Sequence, residues 1–217
     1  MVKNKWLTGL FLGLEAVLYA MILTTGGRML VLSSYGAIVL CFLYSLLHFK
    51  TGSRLLMGGA ACTVAADFCL VILSPAEKLW GMIFFLMAQS LYAAHLHKSG
   101  DKRLLSLRLG LIAALVITAL LVLKDKTDLL ALVSVCYYAN LIINILATIP
   151  QKPTLTVAFV LFLLCDTVIG LQVAAGGYLP IPEGSWLHRL LFMDFNLSWF
   201  FYLPSQVLIA LNIKNSA

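Results

Sequence analysis

Charged residues in this chain gather in short clusters, and between the clusters lie apolar runs close to the roughly 20 residues that a helix needs to cross a bilayer. The runs are 6–24, 29–49, 55–73, 79–97, 104–123, 129–149, 154–175 and 191–213. Backbone groups in hydrocarbon must be satisfied within the protein, which leaves helices or closed barrels. The length of the runs and their lack of period-two alternation select helices. The chain is therefore expected to be an all-α polytopic integral membrane protein, one transmembrane domain over residues 1–217 built as a bundle of about eight helices. Composition agrees: 62% of residues are hydrophobic, 11% are charged and the mean hydropathy is +0.99. A soluble domain carries roughly a quarter charged residues. The basic pI of 9.1 then speaks of topology and anionic lipid rather than nucleic acid, because no basic face interleaved with aromatics is present.

The breaks read as turns: TGGR at 25–28, KTGSR at 50–54, SPAEK at 74–78, KSGDKR at 98–103, KDKTD at 124–128 and PQKP at 150–153. Only 176–190 is long, and its Gly, Pro and Trp residues suit an ordered interfacial loop. The basic N-terminus resembles a signal peptide, but its apolar run carries Glu15 and lacks a small-x-small site, so it reads as the first span. Lys3, Lys5, Lys50, Arg54, Lys98, Lys102, Arg103, Lys152 and Lys214 fall on one side of such a bundle. Arg28, Lys78, Lys124, Lys126 and Arg189 fall on the other, and Arg108 lies within a span end. The positive-inside rule then predicts both termini in the cytoplasm.

Two spans carry a carboxyl group deep in their apolar run. Asp67 and Asp166 each occupy the thirteenth position of their segment, 55–73 and 154–175. A charge there costs about 3 kcal/mol on insertion scales. Such a residue faces a polar interior and has a task. Both spans run the same way, so the two aspartates are expected at matching depth. Gln89 and Gln206 follow in the next helices, each shortly after a Phe-Phe pair, which admits a parallel repeat of four plus four spans.

Other spans present polar faces. Asp194, Ser198, Tyr202 and Gln206 recur every four residues along the last span. Tyr137, Asn140, Asn144 and Thr148 share a face of the sixth, Gln89 and Tyr92 of the fourth, and Glu15 and Tyr19 of the first. These faces belong against other helices or a water-filled cavity. Spans two and five read as lipid-facing supports, with Ser33, Ser34, Ser45 and Thr118 bonding within their own helices. The asparagines serve either as interhelical glue or as positioners. Glu15 serves either a function or a pairing with Arg28, and Asp194 is either a rung of the ladder or a solvated end near Arg189. His48, His95 and His97 sit at span ends without metal-ligand spacing, so neither a metal nor a cofactor is expected. Cys41, Cys62, Cys69, Cys136 and Cys165 all lie in apolar segments, form no CxxC pair and read as small packing residues. No GxSxG, HExxH, P-loop or dinucleotide fingerprint occurs. Any catalysis must run on carboxyl groups.

Around the aspartates the sequence resembles the YhhN family of eight-span membrane proteins, which includes the lysoplasmalogenases. The resemblance is carried by Ala65-Ala66-Asp67-Phe68-Cys69-Leu70, by Phe85 through Tyr92, by Leu163-Leu164-Cys165-Asp166-Thr167, and by Tyr202 with Gln206. Ala66, Cys165 and Gln89 stand where the family pattern has Gly, Ser and His. The resemblance implies hydrolysis of the vinyl ether bond of a lysoplasmalogen-type lysophospholipid, giving a fatty aldehyde and a glycerophospho-alcohol. It further implies Asp67 and Asp166 as the catalytic pair. Tyr202, Gln206 and Asn140, with Gln89, Tyr92, Asp194, Ser198 and Glu15, would then contribute to the substrate site. The lipid would enter from the bilayer, in a cytoplasmic membrane if the source is bacterial. A small proton-coupled or solute transporter, or a non-catalytic lipid-binding relative, would use the same paired carboxyls.

Overall fold

The computed structural model describes residues 2–73, 75–96, 102–124, 127–150, 152–175 and 181–214, with the side chains of residues 2–4, 102 and 214 not described. His97, Lys98, Lys126, residues 176–180 of the expected interfacial loop, and the side chains of Lys3, Lys102 and Lys214 lie outside the described residues. The helices are α1 (Val2–Thr24), α2 (Gly27–Leu46), α3 (Arg54–Asp67), α4 (Lys78–Leu96), α5 (Lys102–Leu123), α6 (Leu129–Thr148), α7 (Pro153–Ala175), α8 (Trp186–Leu191) and α9 (Leu197–Lys214). The helix of α3 does not stop at Asp67. It widens into a π-helical stretch, Phe68–Ile72, in which the Leu73 N–H donates to the Phe68 carbonyl five residues back.

Seven of these helices are long and apolar enough to span a membrane, and α9 is a shorter apolar helix. The expected 191–213 span divides because the chain turns at 192–196. Asn196 starts α9 by accepting from the Trp199 N–H (3.4 Å), the capping role that suits a short amide side chain. Ser185 caps α8 by accepting from the His188 N–H (3.2 Å), directly after Gly184, whose φ of +81° a side chain would resist. Ser53 and Asp128 cap α3 and α6 in the same way. Trp186, at 75% exposure, stands out from α8, so the expected loop of 176–190 is helical from Trp186 onward.

The helices pack as a closed ring. In order around it, α2 meets α3, α3 meets α4, α4 meets α6, α6 meets α7, α7 meets α9 and α9 returns to α2, with α3 also touching α9 across the ring. α1 lies outside against α2 and α9, and α5 lies outside against α6. This confirms the peripheral place of α5 and corrects that of α2. The α2 face bearing Ser34, Ala37, Ile38, Cys41, Tyr44 and Ser45 is buried. Small residues allow helices to approach closely, and their hydropathy is indistinguishable from that of a lipid face. Ser33, Ser45 and Thr118 do return their hydroxyls to carbonyls of their own helices, whereas Ser34 Oγ is buried without a partner.

Two local features hold the ring to its shape. The Tyr92 ring lies against Gly59, in space that a Cβ would occupy, and meets Phe159 at 5.5 Å between centroids. In α9, Pro204 has no N–H to give the Phe200 carbonyl one turn back. The Tyr19 hydroxyl of α1 donates to that carbonyl instead, at 3.0 Å. The five cysteines are free thiols.

Candidate functional site

The interior of the ring gathers its polar groups around the two aspartates. Asp67 lies where α3 widens, and it is 3% exposed. The Tyr202 hydroxyl of α9 donates to its Oδ2 at 2.6 Å. Asp166, on α7, is partly buried, and its Oδ2 accepts from the Tyr137 hydroxyl of α6. The carboxyls are close enough to act on each other electrostatically, and Cys165 lies within reach of both. Each acid thus has a phenol donor from a different helix.

The two tyrosines are joined by phenylalanines. Phe162 of α7 contacts the Tyr202 ring at 5.4 Å and the Tyr137 ring at 6.3 Å. Phe85 of α4 contacts Phe162, Tyr137 and Tyr202 at 5.7, 5.8 and 6.4 Å. Tilted and edge-on contacts at these distances are the favoured geometries. The result is a packed aromatic cluster with two carboxyl groups fixed beside it by hydrogen bonds.

A second polar group adjoins it along α6. Asn140 and Asn144, buried like Tyr137 and Thr148, place both amide oxygens on Arg108 of α5: Nη1 donates to Asn140 Oδ1 and Nη2 to Asn144 Oδ1, each at 2.9 Å. Asn140 Nδ2 returns to the Cys136 carbonyl. Asn144 Nδ2 donates to both Oε1 and the backbone carbonyl of Gln89, at 2.9 Å. Gln89 Nε2 is buried with no acceptor. The Arg108 guanidinium lies opposite the midpoint of Asn140 and Asn144, about 7.5 Å along α6 from Tyr137 by helix rise.

The expected site residues therefore divide. Asp67, Asp166 and Tyr202 come together, while Asn140 and Gln89 belong to the adjoining network. Gln206 is buried one turn beyond Tyr202 and donates to Ser205 Oγ at 3.3 Å. Ser198 lies on α9 without a hydrogen bond among the described residues. Tyr92 is a packing residue, its hydroxyl buried beside Thr63 without a formed hydrogen bond. Glu15 is buried outside the ring, accepts from Cys41 Sγ at 3.3 Å and leaves Oε2 unpaired; Arg28, exposed at the start of α2, is not its partner. Asp194 corrects the ladder: it lies in the exposed turn before α9, so it is not on the helical face with Ser198, Tyr202 and Gln206. The cause is the Asn196 cap, which starts the helix two residues after Asp194.

Tyr137, Phe85, Phe162 and Arg108 were not expected as site residues. For Tyr137 a signal existed in its shared face with Asn140, and for Arg108 in its being a cation inside a span. For Phe85 a signal existed in its place at the head of the Phe85–Tyr92 stretch that carries the resemblance, whereas Phe162 has none that sets it apart. At one end of the bundle, Ser53 Oγ meets His95 Nδ1 at 2.8 Å and Lys152 Nζ meets His95 Nε2 at 2.9 Å. A lysine ammonium only donates, so Nε2 accepts and Nδ1 carries the proton toward Ser53. Burial holds the Lys152 ammonium below the usual lysine range. Among the described residues no group of three or more His, Cys, Asp or Glu is placed to hold a metal.

Comparison with known proteins returns no match among curated proteins or solved structures. The model of the YhhN family matches residues 29–213. That stretch begins in α2 and ends in α9, taking in every helix of the ring, and the chain belongs to the YhhN family.

Proposed function

We propose that the protein is a membrane-embedded hydrolase that cleaves the vinyl ether bond of lysoplasmalogen-type lysophospholipids by carboxyl acid–base chemistry. The observation that carries this reading is the pair of aspartates, each held by a tyrosine hydroxyl at one aromatic cluster. A vinyl ether is cleaved by adding a proton to its β-carbon, which leaves an oxocarbenium ion at the carbon bound to oxygen. One carboxyl supplies that proton. The other, ionised, stabilises the cation and takes a proton from the water that captures it, a division of labour also found in glycosidases. The hemiacetal so formed collapses to a fatty aldehyde and a glycerophospho-alcohol.

The surroundings suit these steps. The faces of Phe85, Phe162, Tyr137 and Tyr202 are electron-rich and favour a cation between them. The hydrogen bonds from Tyr202 and Tyr137 fix the carboxyls before the substrate arrives, so little reorganisation is needed when charge develops. The test is aldehyde release from lysoplasmalogen by the purified protein in detergent, with Asp67→Asn and Asp166→Asn beside it. Release by the wild type and loss of at least 100-fold in each variant is expected. A folded wild-type protein that releases no aldehyde across choline and ethanolamine head groups would refute the reaction. Full activity in both variants would refute the site.

A further inference from the structure

We propose that Arg108 and the pocket between α4, α5 and α6 form a binding site for the phosphate of a single-chain phospholipid. The hydrogen-bond inventory around Arg108 is unbalanced. The oxygens of Asn140 and Asn144 are both taken by the guanidinium, and Gln89 Oε1 is taken by Asn144. On the donor side, a guanidinium has five N–H groups, of which the two nitrogens described here use one each. Gln89 Nε2 is a further buried donor without an acceptor. Among the described residues no carboxylate pairs with Arg108. The network is therefore short of acceptors and carries one uncompensated positive charge, and the missing component is an anionic oxygen group.

The space for it is present. A pocket of about 370 Å³ opens beside Arg108, lined otherwise by Ser90, Ala93, Ala94, Leu105 and Ala147 among others. That volume is in the range of small-molecule sites. The lining is mostly apolar, and the Ser90 hydroxyl is already bonded to the Leu86 carbonyl at 2.8 Å. An anion with an apolar chain fits such a wall, whereas a free anion would gain nothing from it. Among anionic heads, a planar carboxylate is saturated by an arginine fork. A tetrahedral phosphate has two more oxygens outside the fork and can also take a second donor. α5 lies outside the ring and packs on α6, with Ala119 buried and Arg108 partly buried on its inner side, so the pocket lies between a peripheral helix and the ring, within reach of an amphiphile in the bilayer.

Placement beside the carboxyl pair adds a consequence that rests on the hydrolase reading. Arg108 is about 7.5 Å along α6 from Tyr137, so a phosphate held there lies about one glycerophosphate length from the carboxyl pair. Phosphate binding itself does not need that reading.

The experiment measures thermal stabilisation of the full-length protein in dodecyl maltoside by oleoyl lysophosphatidylethanolamine, monoolein, oleate and inorganic phosphate. The wild type is expected to bind the lysophospholipid at least tenfold more tightly than monoolein or oleate, with inorganic phosphate inert at the same concentrations. Arg108→Gln should remove the preference and leave monoolein affinity unchanged. Asn140→Asp keeps the arginine but neutralises it with a carboxylate, and should remove the preference as well. No preference in the wild type, a preference that survives in folded Arg108→Gln, oleate binding as tightly as the lysophospholipid, or stabilisation by inorganic phosphate alone would each overturn the proposal. Preference without aldehyde release leaves the phosphate site standing and removes the hydrolase reading. Aldehyde release without preference does the reverse.

Discussion

Replacing Tyr202 by Phe removes one hydroxyl while keeping the ring that packs on Phe85 and Phe162. The Asp67 carboxyl, 3% exposed, then loses the one hydrogen-bond donor described for it. Hydrogen bonds to charged groups contribute about 1.5–3 kcal/mol. Each 1.36 kcal/mol is a factor of ten in rate, so the loss corresponds to about a 10- to 150-fold fall in kcat. Tyr137→Phe makes the same change at Asp166. The fall there should lie in the same range.

The assay is the rate of aldehyde release from a lysoplasmalogen in mixed micelles, with folding checked by melting temperature and by elution as a single species. KM should move little, because neither hydroxyl is placed to carry substrate binding in the ground state. If both variants keep kcat within twofold of wild type while remaining folded, the tyrosine bonds do not organise the reaction.

Gly59→Leu forces a side chain into the Tyr92 ring and should destabilise the protein by about 1–3 kcal/mol, seen as a lower melting temperature that Tyr92→Ala partly restores. Tyr19→Phe leaves the Phe200 carbonyl without a donor and should cost about 1 kcal/mol. The cost should vanish in a Pro204→Ala background, where the new N–H takes that carbonyl, so a double-mutant cycle in melting free energy reads it directly. Ser53→Ala removes both the α3 cap and the His95 partner, with an expected cost of about 1 kcal/mol and a melting temperature lower than that of Thr24→Ala, whose hydroxyl bonds only within its own helix. Asp194→Asn lies in an exposed turn and should leave aldehyde release within twofold of wild type; a tenfold loss would place this residue back in the site.

Span positions were legible because hydrocarbon imposes one rule on every residue of a run. The observed α4, α6 and α7 begin and end within one residue of the expected limits. The break at 192–196 was not legible, because Asp194 falls in register with Ser198 and Tyr202 and a spacing of four says nothing about where a helix starts. The side chain that decides it, Asn196, is a capping residue that also occurs inside helices. α2 was misread for a related reason: Ser34, Ala37 and Cys41 look as suited to lipid as to a close helix contact. At the site, the charged members Asp67 and Asp166 announced themselves through their cost. Phe85 and Phe162 have no such cost in an apolar run, and only the packing of α4 against α6 and of α7 against α9 brings them between the two tyrosines.

One helix face connects the two polar groups. Tyr137, Asn140, Asn144 and Thr148 are spaced by three and four along α6, so they form a continuous stripe turned toward α4 and α7, with Arg108 reaching it from α5. Tyr137 at one end of the stripe holds Asp166, and the two asparagines hold the arginine. A stripe that only glued helices together would pair donors with acceptors and close on itself, as Thr148 does with the Ile145 carbonyl. This one meets an aspartate at Tyr137 and a surplus of donors at Asn140 and Asn144, and closes on itself only at Thr148. The amides spend their oxygens on Arg108 and so keep its guanidinium at a fixed height above the carboxyl pair. On that argument Asn144, which touches Arg108 and Gln89 but neither aspartate, sets where a phosphate rests relative to the chemistry. Its replacement should weaken the phosphate preference and misplace the substrate, while leaving the hydrogen bonds of Asp67 and Asp166 intact.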